Sequence, residues 1–123
     1  MPIIPSADAT VFSLHGSTFR AYVNPTRGSE QLCAWRLEVP AGRLGVAHRP
    51  DREEVLLILH GDLEVTLDGV RGQARTGDVV VVAANSEVRI DGGEQDASVW
   101  VSTTVGLRAT TADGEVIAPP WAR

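Results

Sequence analysis

Chemistry in this chain has few sources. All eleven of its basic residues are arginine, which removes lysine Schiff-base chemistry and the lysine of a phosphate-binding loop. What remains is His15, His48 and His60, Cys33, Tyr22, the carboxylates, and arginines able to clamp an anion. The densest grouping is GRLGVAHRPDREEVLLILHG, from Gly42 to Gly61, where His48 and Glu54 stand just ahead of an aliphatic run. An imidazole and a carboxylate brought together serve as metal ligands or as an acid/base pair. The third reading is only a loop before a buried strand.

The other candidates are weaker. His60 shares the parity of Glu54 on EVLLILH, but six residues place it roughly 20 Å further along a strand. It is expected in solvent beside the Gly61 turn, and His15 is expected to be an exposed loop histidine. Glu53 points opposite to Glu54 if the strand has begun. Cys33 has no cationic neighbour in sequence and is expected to be a buried structural thiol. On QLCAWRLEVP, alternation puts Cys33, Trp35, Leu37 and Val39 on one face and Ala34, Arg36 and Glu38 on the other. If the polar face looks inward, Arg36 is an anion clamp for a substrate carboxylate or phosphate. If it looks outward, Arg36 belongs to a solvated ion pair.

These side chains must be positioned by strands. Runs of Val, Ile, Leu, Thr and aromatic residues, bounded by Gly, Pro, Asn or Asp, read as TFRAYV, LCAWRLEV, EVLLILH, LEVTLD, VRGQAR, DVVVVA, EVRI and ASVWVSTTV. No segment makes a convincing helix, and the spacing predicts an all-β antiparallel sandwich or barrel. Asp68-Gly69 between two alternating segments predicts a tight hairpin. The four consecutive valines from Val79 to Val82 predict a strand covered on both faces. The proline-rich end GEVIAPPWAR is expected to lie extended along the body, the Trp121 indole covering an apolar patch.

The bulk composition narrows the class. With 123 residues, 43% of them hydrophobic, the chain makes one ordinary domain with one core. A net charge of −5 with no basic cluster argues against nucleic acid as a partner. No stretch approaches the ~18 apolar residues of a membrane span, and no cationic leader precedes an apolar one, so no membrane partner is expected and a cytoplasmic location is. A single cysteine forms no intrachain disulfide and no cysteine-rich zinc site.

Gly42, His48, Pro50, Glu54 and Gly61 reproduce the spacing of the first cupin motif, G-x5-H-x-H-x3-E-x6-G, with Pro50 at the second histidine. The second cupin motif, G-x5-P-x-G-x2-H-x3-N, aligns on Gly77, with Ala83, Asn85, Val88 and Gly92 at its remaining positions. The chain therefore resembles the cupins, and its layout is similar to small single-domain cupins of actinobacterial type. That resemblance implies a double-stranded β-helix, or jelly-roll barrel, as one domain over 1–123: N-terminal strands in 1–40, a cupin core in 41–106 and an extended tail in 107–123. It also implies a homodimer. Metal-binding cupins hold iron, manganese, nickel, copper or zinc with three histidines and one glutamate. Carried over, only His48 and Glu54 remain as ligands, because proline and valine coordinate nothing.

The leading expectation is a barrel that binds a small molecule without a tightly bound metal, either as a binding protein or as a metal-independent acid/base enzyme of isomerase, cyclase or lyase type. Its pocket is expected to be lined by Trp35, Arg36, Leu56, Val88 and Ile90, with His48 and Glu54 as the catalytic residues at its polar end. Two alternatives stand beside it. One is a metal-dependent oxygenase or isomerase using His48 and Glu54, and the other is a non-catalytic structural or regulatory module with a filled barrel.

Overall fold

The computed structural model describes residues 2–123. Twelve strands carry the chain: β1 (Thr10–Leu14), β2 (Ser17–Val23), β3 (Leu32–Val39), β4 (His48–Pro50), β5 (Glu54–His60), β6 (Asp62–Leu67), β7 (Val70–Arg75), β8 (Val79–Val82), β9 (Val88–Gly92), β10 (Ala97–Thr104), β11 (Ala109–Thr111) and β12 (Val116–Ile117). The helices among the described residues are three single turns of 3-10 type. The strands form two six-stranded antiparallel sheets, ordered β1-β2-β3-β10-β5-β8 and β12-β11-β4-β9-β6-β7. This is the all-β jelly-roll arrangement that the strand rhythm and the motif spacing predict.

The inner faces follow the period of two. On β5, Glu54, Leu56 and Ile58 are buried while Val55, Leu57 and Leu59 are exposed. On β3 the buried set includes Cys33, Trp35, Leu37 and Val39, and on β10 it is Ala97, Val99, Val101 and Thr103. These strands are neighbours in register, Val101 lying between Trp35 and Leu56, so one continuous apolar wall faces the second sheet.

The hairpin predicted at Asp68-Gly69 joins β6 to β7 with both residues at positive φ, 47° and 83°. That is the twist a two-residue connection needs. His15-Gly16 makes the same kind of turn between β1 and β2, with φ of 51° and 78°. β1 itself did not stand out in the sequence.

The valine run departs from expectation. β8 pairs only with β5 and lies at an edge of its sheet, with Val82 fully buried but Val79 and Val81 each 56% exposed. One of its faces looks outward beside Val55, Leu57 and Leu59 of β5, because in a two-sheet packing no further layer covers the outer face of either sheet.

Segment 107–123 also does more than lie along the surface. β11 pairs with β4 and extends the second sheet. The final turn, Pro120–Ala122, then drives Trp121 into the core at 7% exposure. Three side chains bind this turn by its carbonyls: Asn24 Nδ2 donates to Trp121 O at 3.2 Å, Thr26 Oγ1 to Arg123 O at 2.8 Å, and Cys33 Sγ to Ala122 O at 3.4 Å. The indole does not cover an outer patch; it becomes part of the interior. No helix of the described residues is long and apolar enough to cross a membrane.

Candidate functional site

The two sheets do not meet everywhere. Between them lies a cavity of about 140 Å³ whose wall draws on both sheets, the β1–β2 hairpin and the C-terminal segment. β3 contributes Trp35, Leu37 and Val39, while β5 contributes Glu54 and Leu56. From the second sheet come His48 and Pro50 of β4 and Ile90 of β9. The cavity thus collects five of the expected residues, His48, Glu54, Trp35, Leu56 and Ile90.

Two expected residues fall elsewhere. Arg36 is on the outer face of the first sheet, across from Arg20 on β2 and Trp100 on β10, with its guanidinium beside Glu38. Alternation requires this once Trp35 faces inward, since neighbouring residues of a strand point to opposite sides. Arg36 is therefore not a clamp for a ligand in this cavity. Val88 is 1% exposed and stands in register with His48 across the β4–β9 pairing, but it packs into the core and does not reach the cavity surface.

Other wall residues went unnoticed in the sequence. Phe19 and Trp121 stack with ring centroids 3.8 Å apart and planes 11° from parallel, and Trp35 meets Trp121 edge-on at 6.4 Å. Ser17 and Phe19 share a parity that pointed inward once β2 was placed. Trp121 had no local signal, because its position depends on where the end of the chain docks. His15 is exposed, as expected for a loop histidine, and at the tip of its hairpin it also borders the cavity.

The polar groups are held in particular states. His48 Nδ1 lies 2.8 Å from the carbonyl oxygen of Val46. A carbonyl only accepts, so Nδ1 carries the proton and a neutral ring keeps its lone pair on Nε2. Glu54 is 8% exposed, and its carboxyl finds no hydrogen-bond or ion-pair partner among the described residues. Burial alone pushes its pKa up from 4.5 to about 7, because the charged form loses its water and gains no compensating donor. His48 and Glu54 line one cavity without touching through a hydrogen bond.

A metal does not fit this donor set. Among the described residues no group of three or more His, Cys, Asp or Glu side chains gathers where it could hold an ion. Pro50, at the position of the second motif histidine, lines the cavity with a ring that has no lone pair. Two protein donors are fewer than the three that open metal sites keep.

Neither a protein-family model nor a curated protein matches the sequence. Solved structures do match the fold. The polyketide cyclase RemF from Streptomyces resistomycificus superposes with a TM-score of 0.76 at 15% identity, over 85% of this chain and 79% of that one. Salicylate 1,2-dioxygenase from Pseudoaminobacter salicylatoxidans, in an adduct with gentisate, gives 0.72 at 18% identity, over 84% of this chain and 31% of the dioxygenase. The cupin domain of Cnp3 from Schizosaccharomyces pombe gives 0.67 at 17% identity, over 80% of this chain and 69% of that domain. At these identities the likeness shows the fold, which is that of the cupins.

Proposed function

We propose that the protein binds a small metabolite in this cavity and acts on it by acid/base chemistry of the isomerase, cyclase or lyase type, using its own side chains. The observation that carries the reading is Glu54, a carboxyl buried in an apolar cavity without a partner. A carboxyl poised near 7 exchanges its proton at working pH with little loss in either direction, which is what a general base or acid requires. The Nε2 lone pair of His48 supplies a second proton acceptor on the same cavity. In one turnover Glu54 takes a proton from carbon next to a substrate carbonyl and returns it to another atom, while the apolar wall keeps bulk water from competing.

Size sets the scale of the substrate. About 140 Å³ is close to the ~150 Å³ of an engineered apolar cavity that admits benzene, so a single ring with a short substituent fits. The likeness to a polyketide cyclase supports the reaction class, since the superposition spans most of both chains. A homodimer belongs to the same proposal: the exposed Val55, Leu57, Leu59, Val79 and Val81 offer a second copy an apolar face.

The test is exchange of the α-protons of acetophenone into deuterated buffer, followed by NMR. Exchange faster than buffer is expected with the wild-type chain, with at least ~100-fold of the acceleration lost in Glu54→Gln. Equal exchange by the two chains would remove Glu54 from the reaction. Stoichiometric metal in purified protein, lost in His48→Ala, would replace the reading with a metal-dependent one.

A further inference from the structure

The wall of the cavity is one-sided in charge. Its inner acceptors are the Glu54 carboxyl and Nε2 of His48; beside them stand the unpaired Nε1–H of Trp35 and the hydroxyls of Ser17 and Thr111, none of them charged, and no arginine lines it. Arg36 is turned to the opposite face of its sheet. Arg43 packs its guanidinium over Gly16, outside the cavity and in solvent. An anionic ligand such as a benzoate would therefore meet no cation in the cavity wall, and the charged form of Glu54 would repel it.

The rest of the wall suits the opposite charge. Phe19, Trp35 and Trp121 supply aromatic surface around one volume, and the π-face of an aromatic ring attracts an organic cation once water is excluded. A protonated amine brings N–H donors for both acceptors and a positive charge for the carboxylate. The chain's net charge of −5 also favours the approach of cations over anions.

From these observations we infer that the ligand of the cavity is a small organic amine, bound as its ammonium ion, with a single ring or a body of similar size against the aromatic wall. This rests on the cavity being the ligand site, as proposed above, and names the chemical class that occupies it. It differs from what fold likeness suggests, since gentisate, the compound found with the salicylate dioxygenase, carries a negative charge.

Three near-isosteric probes decide the matter: benzylammonium, benzyl alcohol and benzoate, titrated by tryptophan fluorescence and calorimetry against the full chain. Benzylammonium is expected to bind at least about tenfold more tightly than benzyl alcohol, with benzoate weakest. Glu54→Gln is expected to cut the ratio of benzylammonium to benzyl alcohol affinity to below about threefold. Benzyl alcohol or benzoate binding as well as benzylammonium would overturn the inference and leave the cavity-ligand reading standing. Tenfold preference surviving in Glu54→Gln would also overturn it. Failure of all three probes to bind would remove both readings together. If the variant does not fold, the wild-type ranking alone decides.

Discussion

Two stretches of one cavity wall are built on opposite principles. Around Trp121 the contacts are complementary: the indole stacks on Phe19, meets Trp35 edge-on, and its turn is tied down by Asn24, Thr26 and Cys33. Around Glu54 the polar groups lack partners: the residue is 8% exposed, its carboxyl accepts no hydrogen bond among the described residues, and His48 leaves one nitrogen free. Burial with complementary contacts stabilises a fold, whereas burial of an ionisable group without them stores free energy that a ligand can recover. The aromatic stretch therefore holds the barrel together, and the polar stretch weakens it.

That contrast breaks first at Trp121. Trp121→Ala removes a buried, stacked indole and is expected to cost about 3–5 kcal/mol, measured as a lower denaturation midpoint in urea. A loss below about 1 kcal/mol would mean that the C-terminal turn is not part of the core in solution.

The next largest effect has the opposite sign. Since the folded-state pKa of Glu54 is raised above its unfolded value, its contribution to stability is fully present below about pH 4.5 and lost as pH rises through about 7. The wild-type chain should lose on the order of 3 kcal/mol over that window from this group. Glu54→Gln should flatten the slope and be the more stable chain at pH 8. A variant with the wild-type slope would show that the carboxyl is solvated or paired.

Asn24→Ala sharpens the comparison more gently. It deletes the donor to Trp121 O and the acceptor for Arg27 N, and about 1–2 kcal/mol of stability should go with them. Its more telling readout is Cys33, fully buried, with burial pushing its thiol pKa up, and lying under Ala122. Labelling by a thiol reagent should quicken roughly tenfold as the turn loosens. An unchanged labelling rate would separate the latch from the thiol. The smallest effect is expected from His48→Ala, under about 1 kcal/mol on stability, with its consequence confined to ligand binding; a larger loss would make His48 a structural residue.

Much of this was legible one strand at a time. β3, β5 and β7 begin and end where their residue patterns place them, and the Asp68-Gly69 hairpin follows from its own dihedral preferences. The short strands β4, β11 and β12 carry too few residues to show a period, and they exist because neighbours supply their hydrogen bonds. The valine run illustrates the limit of composition: four apolar residues fit a covered strand or an edge strand equally well, and the topology chose the edge. On β3 the pattern separated Trp35 from Arg36, but only the packing of Trp35 against the interior fixed which of them faces the cavity.

By itself, then, the sequence determined what depends on local backbone geometry: the longer strands, the tight turns, the two faces of each such strand, and the absence of a coordinating side chain at Pro50 and Val88. The tertiary structure decided what depends on distant residues meeting. It brought Trp121 from the end of the chain against Phe19, set Glu54 in a space no donor reaches, and left about 140 Å³ unfilled between the sheets. A cavity is the difference between the spacing of two sheets and the summed volume of the side chains between them, and neither quantity can be read from any single segment.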